Sequence, residues 1–128
     1  MDKRASSPSL IATESQHQQA LVNWWKLVHD RYHLPECALL KVKNESLGAS
    51  KVAMARAKAE GLRKGASDLL LTVSRDGWHG LWIEMKKRDG RPSQEQILFL
   101  HEQRQCGYNG AICYGWEEAR KTIEDYLA

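Results

Sequence analysis

Nothing in the sequence is long and apolar enough to span a membrane, and its first residues lack the apolar run of a secretion signal. Cysteine is scarce. Cys37, Cys106 and Cys113 cannot all pair with one another, and their spacing matches no zinc site. They read as small core residues of an intracellular, reduced protein, expected in the cytoplasm. The five histidines are scattered, and each reads as structural or exposed. Internal repeats and low-complexity segments are absent. Net charge is only +3, but its placement is uneven. Lys41, Lys43, Lys51, Arg56, Lys58, Arg63, Lys64, Lys86, Lys87, Arg88 and Arg91 crowd the middle of the chain, whereas the end carries Glu117, Glu118, Glu124 and Asp125. A basic block of this kind suits a polyanion, although an ordinary solvated surface, taken alone, explains it at least as well.

At 128 residues the chain has room for one core and not two. Residues 1–12 are polar and read as a flexible N-terminal tail, leaving 13–128 as the domain. A helix is predicted over 14–33, where Leu21, Trp24, Trp25, Val28 and Tyr32 form an apolar stripe. Thr13 and Gln16 suit a capping box at its start, and Pro35 ends it. A strand over 37–42 follows, then a helix over 46–60 closed by Gly61. Residues 68–86 read as a hairpin. A helix over 93–107 with Ile97, Leu98 and Leu100 inward, a strand over 111–114 and a helix over 117–127 complete the chain. This order implies an α/β fold with a mixed sheet flanked by helices. Adjacent Trp24 and Trp25 on one helix, with Trp116, are expected in the core or at a subunit interface, a hint of a dimer.

The hairpin carries the chemistry. Its turn is marked by Asp76-Gly77 within Ser74-Arg75-Asp76-Gly77. One arm opens with Asp68 before Leu69-Leu70-Leu71, and the other contains Ile83-Glu84-Met85-Lys86. Residues two apart on a strand share a face, so Glu84 and Lys86 point together and Met85 points away. Folding about the turn returns Asp68 to them. Two carboxylates can hold a hard divalent cation and a nearby amine can offset phosphate charge, a grouping suited to phosphodiester hydrolysis. The pattern alone is more often a solvated surface hairpin with alternating charges.

The flanking residues shift that balance. Gly65-x-x-Asp68, Glu84-x-Lys86 and Gly90-x-x-Ser93-x-x-Gln96 occur in order. In these three motifs the chain resembles the virus-type replication-repair nuclease (VRR-NUC) family of the PD-(D/E)XK superfamily, over roughly residues 14–127. One departure is Ser67, where the superfamily often has proline. The resemblance implies a restriction-endonuclease-like core and an endodeoxyribonuclease using Mg2+ or Mn2+, with no small-molecule cofactor. It implies Asp68, Glu84 and the Met85 carbonyl as metal ligands and Lys86 as the residue that positions or activates water. It also implies Gln96 and Glu14 as further catalytic residues.

Each of the last two has a plainer explanation. Ser93 and Gln96 form a capping-box pattern, and an acid in a first helical turn, as Glu14 is, is favoured by the dipole. Glu45 is the rival acid, and Gln18 lies one turn beyond Glu14 on the same face. Lys64, Lys87, Arg88 and Arg91 are expected on the nucleic-acid backbone, the plainer alternative being solvation. Trp82 shares the parity of Glu84 and is expected in the core more than against a base. Stand-alone family members look like Holliday-junction resolvases, which implies branched DNA, a homodimer supplying two sites, and a phage or bacterial host setting. The alternatives are a flap- or nick-directed nuclease, a restriction-type nuclease, and a non-catalytic DNA-binding module.

Overall fold

In the computed structural model, residues 12–42 and 50–128 are described. Residues 1–11 of the expected tail and Glu45 lie outside the described residues, as does the start of the helix expected from residue 46. The elements follow the order α1 (Glu14–Val28), β1 (Leu39–Lys41), α2 (Lys51–Ala59), β2 (Leu69–Leu71), β3 (Leu81–Lys86), α3 (Gln94–Gln105), β4 (Asn109–Tyr114) and α4 (Trp116–Leu127). The strands form one mixed sheet in the order β1-β2-β3-β4, antiparallel except for the parallel pair β3–β4. The predicted α/β order is therefore the observed one. No helix among the described residues is long and apolar enough to cross a membrane.

Parity along β3 divides the molecule into two layers. Leu81, Ile83 and Met85 join Leu21, Trp25, Ala119 and Ile123 of α1 and α4 in the main core. Trp82, Glu84 and Lys86 share the other face, where Trp82 meets Phe99 of α3 edge-on at 5.1 Å. The Trp82 indole donates to Gln103 Oε1 at 2.8 Å, so this tryptophan packs beneath α3 as expected of a core residue. All six residues of β3 are buried, charged ones included.

Several boundaries differ from the predicted ones. The first α-helix stops at Val28, and a 3₁₀ turn, His29–Tyr32, continues it. His29 Nδ1 engages the Leu34 carbonyl at 2.8 Å and His33 takes φ 57°, which tightens the chain before Pro35. A second 3₁₀ turn, Glu36–Ala38, replaces the start of the predicted first strand, and Cys37 is exposed. Cys106 is exposed as well, so only Cys113 is the core cysteine all three were expected to be. In α3 only Leu100 is buried; Ile97 and Leu98 are 51% and 54% exposed, against expectation. The sheet face accepts one stripe of that helix, formed by Gln96, Phe99, Leu100 and Gln103, and the two aliphatics flank it. Trp25 is buried and Trp24 packs half-buried against the core, so neither needs a partner subunit.

Candidate active site

Asp68 and Glu84 meet because the hairpin is not symmetric. Asp76 and Gly77 both have positive φ, and Arg75 and Trp78 exchange backbone hydrogen bonds across them, a two-residue turn. A strict ladder from that turn would set Asp68 opposite Met85, aimed at the core. Instead Thr72, Val73 and Ser74 on one arm face only His79 and Gly80 on the other. Leu69 then pairs with Ile83, and Asp68 falls opposite Glu84 on its face. The Met85 amide donates to Asp68 Oδ2 at 3.1 Å, fixing the carboxylate. A strand residue's carbonyl leaves on the same edge as its amide, which directs the Met85 carbonyl to the Asp68 side.

The loop before Asp68 is fastened to α3. Gly65 has φ +88°, and a Cβ there would stand 2.6 Å from the Glu95 backbone. Only glycine allows this approach, which brings the entry to β2 against the first turn of α3. Gln96 in that turn does two things. Its Oε1 accepts from the Ser93 amide at 2.8 Å, completing the capping box, and its Nε2 donates to Glu84 Oε2 at 3.3 Å. The capping box expected from sequence is thus present, and the same side chain also reaches Glu84.

Lys86 Nζ lies 3.7 Å from Glu84 Oε2 and 3.8 Å from Glu14 Oε2. Glu14 reaches it from the first turn of α1, after a Thr13–Gln16 capping box. The alignment of α1 with this end of the sheet depends on His17, which sequence reasoning passed over. It is buried and its Nδ1 accepts from the Trp116 amide at 3.1 Å, while the adjacent Gly115 amide donates to the Lys86 carbonyl at 2.9 Å. The available signal was position, since residue 17 extends the buried stripe Leu21, Trp25, Val28 by one turn.

Electrostatically the site has fewer positive than negative groups, with Lys86 set among Asp68, Glu84 and Glu14. Glu84 is 1% exposed and its Oε1 makes no hydrogen bond. Burial, reinforced by the negative charge of Asp68 and opposed by Lys86, pushes its carboxyl from an ordinary 4.5 to about 9. A proton or a cation has to offset the second acid. No group of three or more His, Cys, Asp or Glu side chains able to hold a metal occurs among the described residues. The donors are therefore two carboxylates and backbone oxygen, a set that fits a hard divalent cation retaining several waters and does not fit structural zinc. Asp68, Glu84 and the Met85 carbonyl are the groups that would hold it.

None of the four expected backbone-binding cations forms an ion pair with Asp68 or Glu84 among the described residues. Lys64 pairs with Glu95 at 3.3 Å, Lys87 with Asp89 at 3.6 Å and Arg88 with Glu117 at 3.3 Å. Arg91 is exposed and forms no ion pair among the described residues. Gln18 is half-buried on α1 and makes no hydrogen bond to the site. Ser67, in the position often held by proline, is fully buried with its hydroxyl unpartnered.

Comparison with known proteins bears on the fold and the family. No curated protein matches the chain. A solved structure described as a VRR_NUC domain protein superposes with a TM-score of 0.76 at 21% identity, covering 90% of this chain and 88% of that one. The shared fold is the α/β nuclease core expected from the motifs. The sequence profile of the VRR-NUC domain matches residues 5–117. With nearly its whole length matched in sequence, the chain belongs to the VRR-NUC family, and so to the nucleases that process DNA.

Proposed function

We propose that this protein is a divalent-metal-dependent endonuclease that cuts branched DNA as a homodimer, in the manner of a junction resolvase, inside the cell. The observation that carries the reading is the convergence of the half-buried Asp68 and Gln96 on the buried Glu84 and Lys86, at a point short of positive charge. Mg2+ or Mn2+ bound there would polarise a phosphoryl oxygen and favour ionisation of an attacking water. Asp68 is held for this task by the Met85 amide, and Glu84 by Gln96. Lys86, largely buried between two acids, stands where an amine offsets the negative charge that grows on the phosphate. Gln96 also stands at a helix N-terminus, where amides favour phosphate. Cutting two opposed strands requires two such sites related by a twofold axis, which a homodimer supplies.

The test is cleavage of end-labelled four-way junction, flap, nicked and plain duplex DNA with Mg2+ or Mn2+, with Glu84→Gln alongside. Paired symmetric cuts in the junction, abolished in the variant, are the expected result. Cuts confined to flaps or nicks would keep the nuclease and remove the resolvase. No cutting by a folded, DNA-binding protein with either metal would leave a binding module, against which the complete acid, acid and lysine set argues.

A further inference from the structure

A groove of about 390 Å³ lies between the end of α2, the loop after it and one side of α3. Lys58, Arg63 and Lys64 line it together with the apolar Leu62, Leu98 and Phe99. Two acids of α3, Glu95 and Glu102, also reach it, and Lys64 is paired with the first of them at 3.3 Å. No ion pair among the described residues engages Lys58 or Arg63. Leu98 is 54% exposed although it sits on a helix that covers the sheet, and Phe99 is held in place by its edge-on contact with Trp82. The groove thus offers an apolar, partly aromatic lining beside two unpaired cations.

Its position ties it to the proposed chemistry. Glu95 of the groove precedes Gln96, which holds Glu84, and Lys64 precedes Gly65, whose backbone packs against that of Glu95. The groove and the proposed site thus share the first turn of α3 and the loop that leads to Asp68. Its volume is of the size that takes one small aromatic ligand and is too small for a helix or a duplex. A nucleobase has apolar faces and an anionic tether, which suits five of the lining residues: base against Leu62, Leu98 and Phe99, phosphate toward Lys58 and Arg63.

We propose that this groove receives one unpaired nucleotide flanking the scissile phosphate, an inference that rests on the nuclease reading above and supplies its substrate preference. In plain duplex the same base is stacked and paired, and removing it costs energy that the groove must offset. DNA already unpaired beside the cut avoids that cost, so selectivity for branched or frayed structures arises without base readout.

The test compares the intact chain with Leu62→Ala/Leu98→Ala, and with Leu98→Ala alone, a change at a largely exposed position. Binding is measured in EDTA, so that cutting does not enter, to a fully paired duplex and to one with unpaired 2-aminopurine beside the expected cut. Wild type should bind the unpaired DNA more tightly and change the 2-aminopurine fluorescence. The double variant should lose that change and about tenfold in affinity for the unpaired DNA, with less than about twofold for the duplex. Equal affinity of wild type for both DNAs, equal losses on both, or a fluorescence change retained by the variants would overturn the groove. A chain that passes this test yet cuts nothing would overturn the nuclease reading and leave the groove as a seat for an unpaired nucleotide without a scissile phosphate beside it.

Discussion

Glu84 occupies the middle of a strand whose every residue is buried, and a carboxylate there is unfavourable unless something compensates it. Gln96 donates one hydrogen bond and Lys86 stands nearby, yet one carboxylate oxygen has no partner. The folded pKa of about 9 lies above the ordinary 4.5, so between these values the unfolded chain has released a proton that the folded chain keeps. Stability of the metal-free protein therefore falls as pH rises through that window. Its melting temperature should decline from about pH 5 to about pH 9. Glu84→Gln should flatten the decline and raise the metal-free melting temperature near pH 8 by roughly 5 °C or more. Added Mg2+ should stabilise wild type more at about pH 8 than at about pH 6 and leave the variant unchanged. Calorimetry at several pH values checks this, and a wild-type melting temperature independent of pH would overturn the account. Spacing showed that Glu84 and Lys86 share a face, because spacing on a strand fixes parity, and the family motifs added Asp68 and Gln96 to the candidates. It did not show burial, which depends on α3 and α1 closing over the strand from distant parts of the chain.

The elements hold the site through a few close approaches. Gly65 and Gly61 make a controlled comparison, since both have positive φ but only Gly65 has backbone within reach of an added Cβ. Gly61→Ala should cost about 1 kcal/mol, the penalty of an unfavourable backbone region alone. Gly65→Ala adds a collision with Glu95 and should cost about 2–4 kcal/mol, measured by urea denaturation. It should also lower cleavage by about a hundredfold, because the loop it displaces delivers Asp68. Equal costs for the two variants would show that the approach to Glu95 does not matter. Helix starts were legible to within a residue or two at Thr13 and Ser93, where capping boxes are local chemistry. The turn at Asp76-Gly77 was legible for the same reason. The extra residue in the β2 arm was not, although it decides whether Asp68 faces the site or the core. Nothing local marks it, because its cause is the joint burial of Leu69, Leu71, Leu81 and Ile83 against α1 and α4. Ile97 and Leu98 were misplaced because helical spacing cannot tell how wide a stripe the opposing sheet face accepts.

Across the whole molecule, a small net charge conceals a local excess of cations around the site, and ion pairs decide which of these are available. Arg88 is held by Glu117, which follows it by 29 residues and is brought beside it only by the parallel pairing of β3 with β4. Lys64 is held by Glu95 and Lys87 more loosely by its neighbour Asp89, while Arg91 has no acidic partner among the described residues. A phosphate competing for Arg88 must first displace a carboxylate, whereas one meeting Arg91 displaces only water and counterions. The logarithm of the DNA association constant should thus fall linearly with the logarithm of salt concentration, by about 0.9 per phosphate neutralised. Arg91→Ala should reduce that slope by about 1, Lys87→Ala by somewhat less, and Arg88→Ala least of all. None should alter preference among DNA sequences, because contacts of this type carry no base information. Fluorescence anisotropy titrations across a salt series measure all three. If Arg88→Ala changed the slope most, DNA would have to break the Glu117 pair on binding, and the turn between β4 and α4 would become part of the DNA-facing surface.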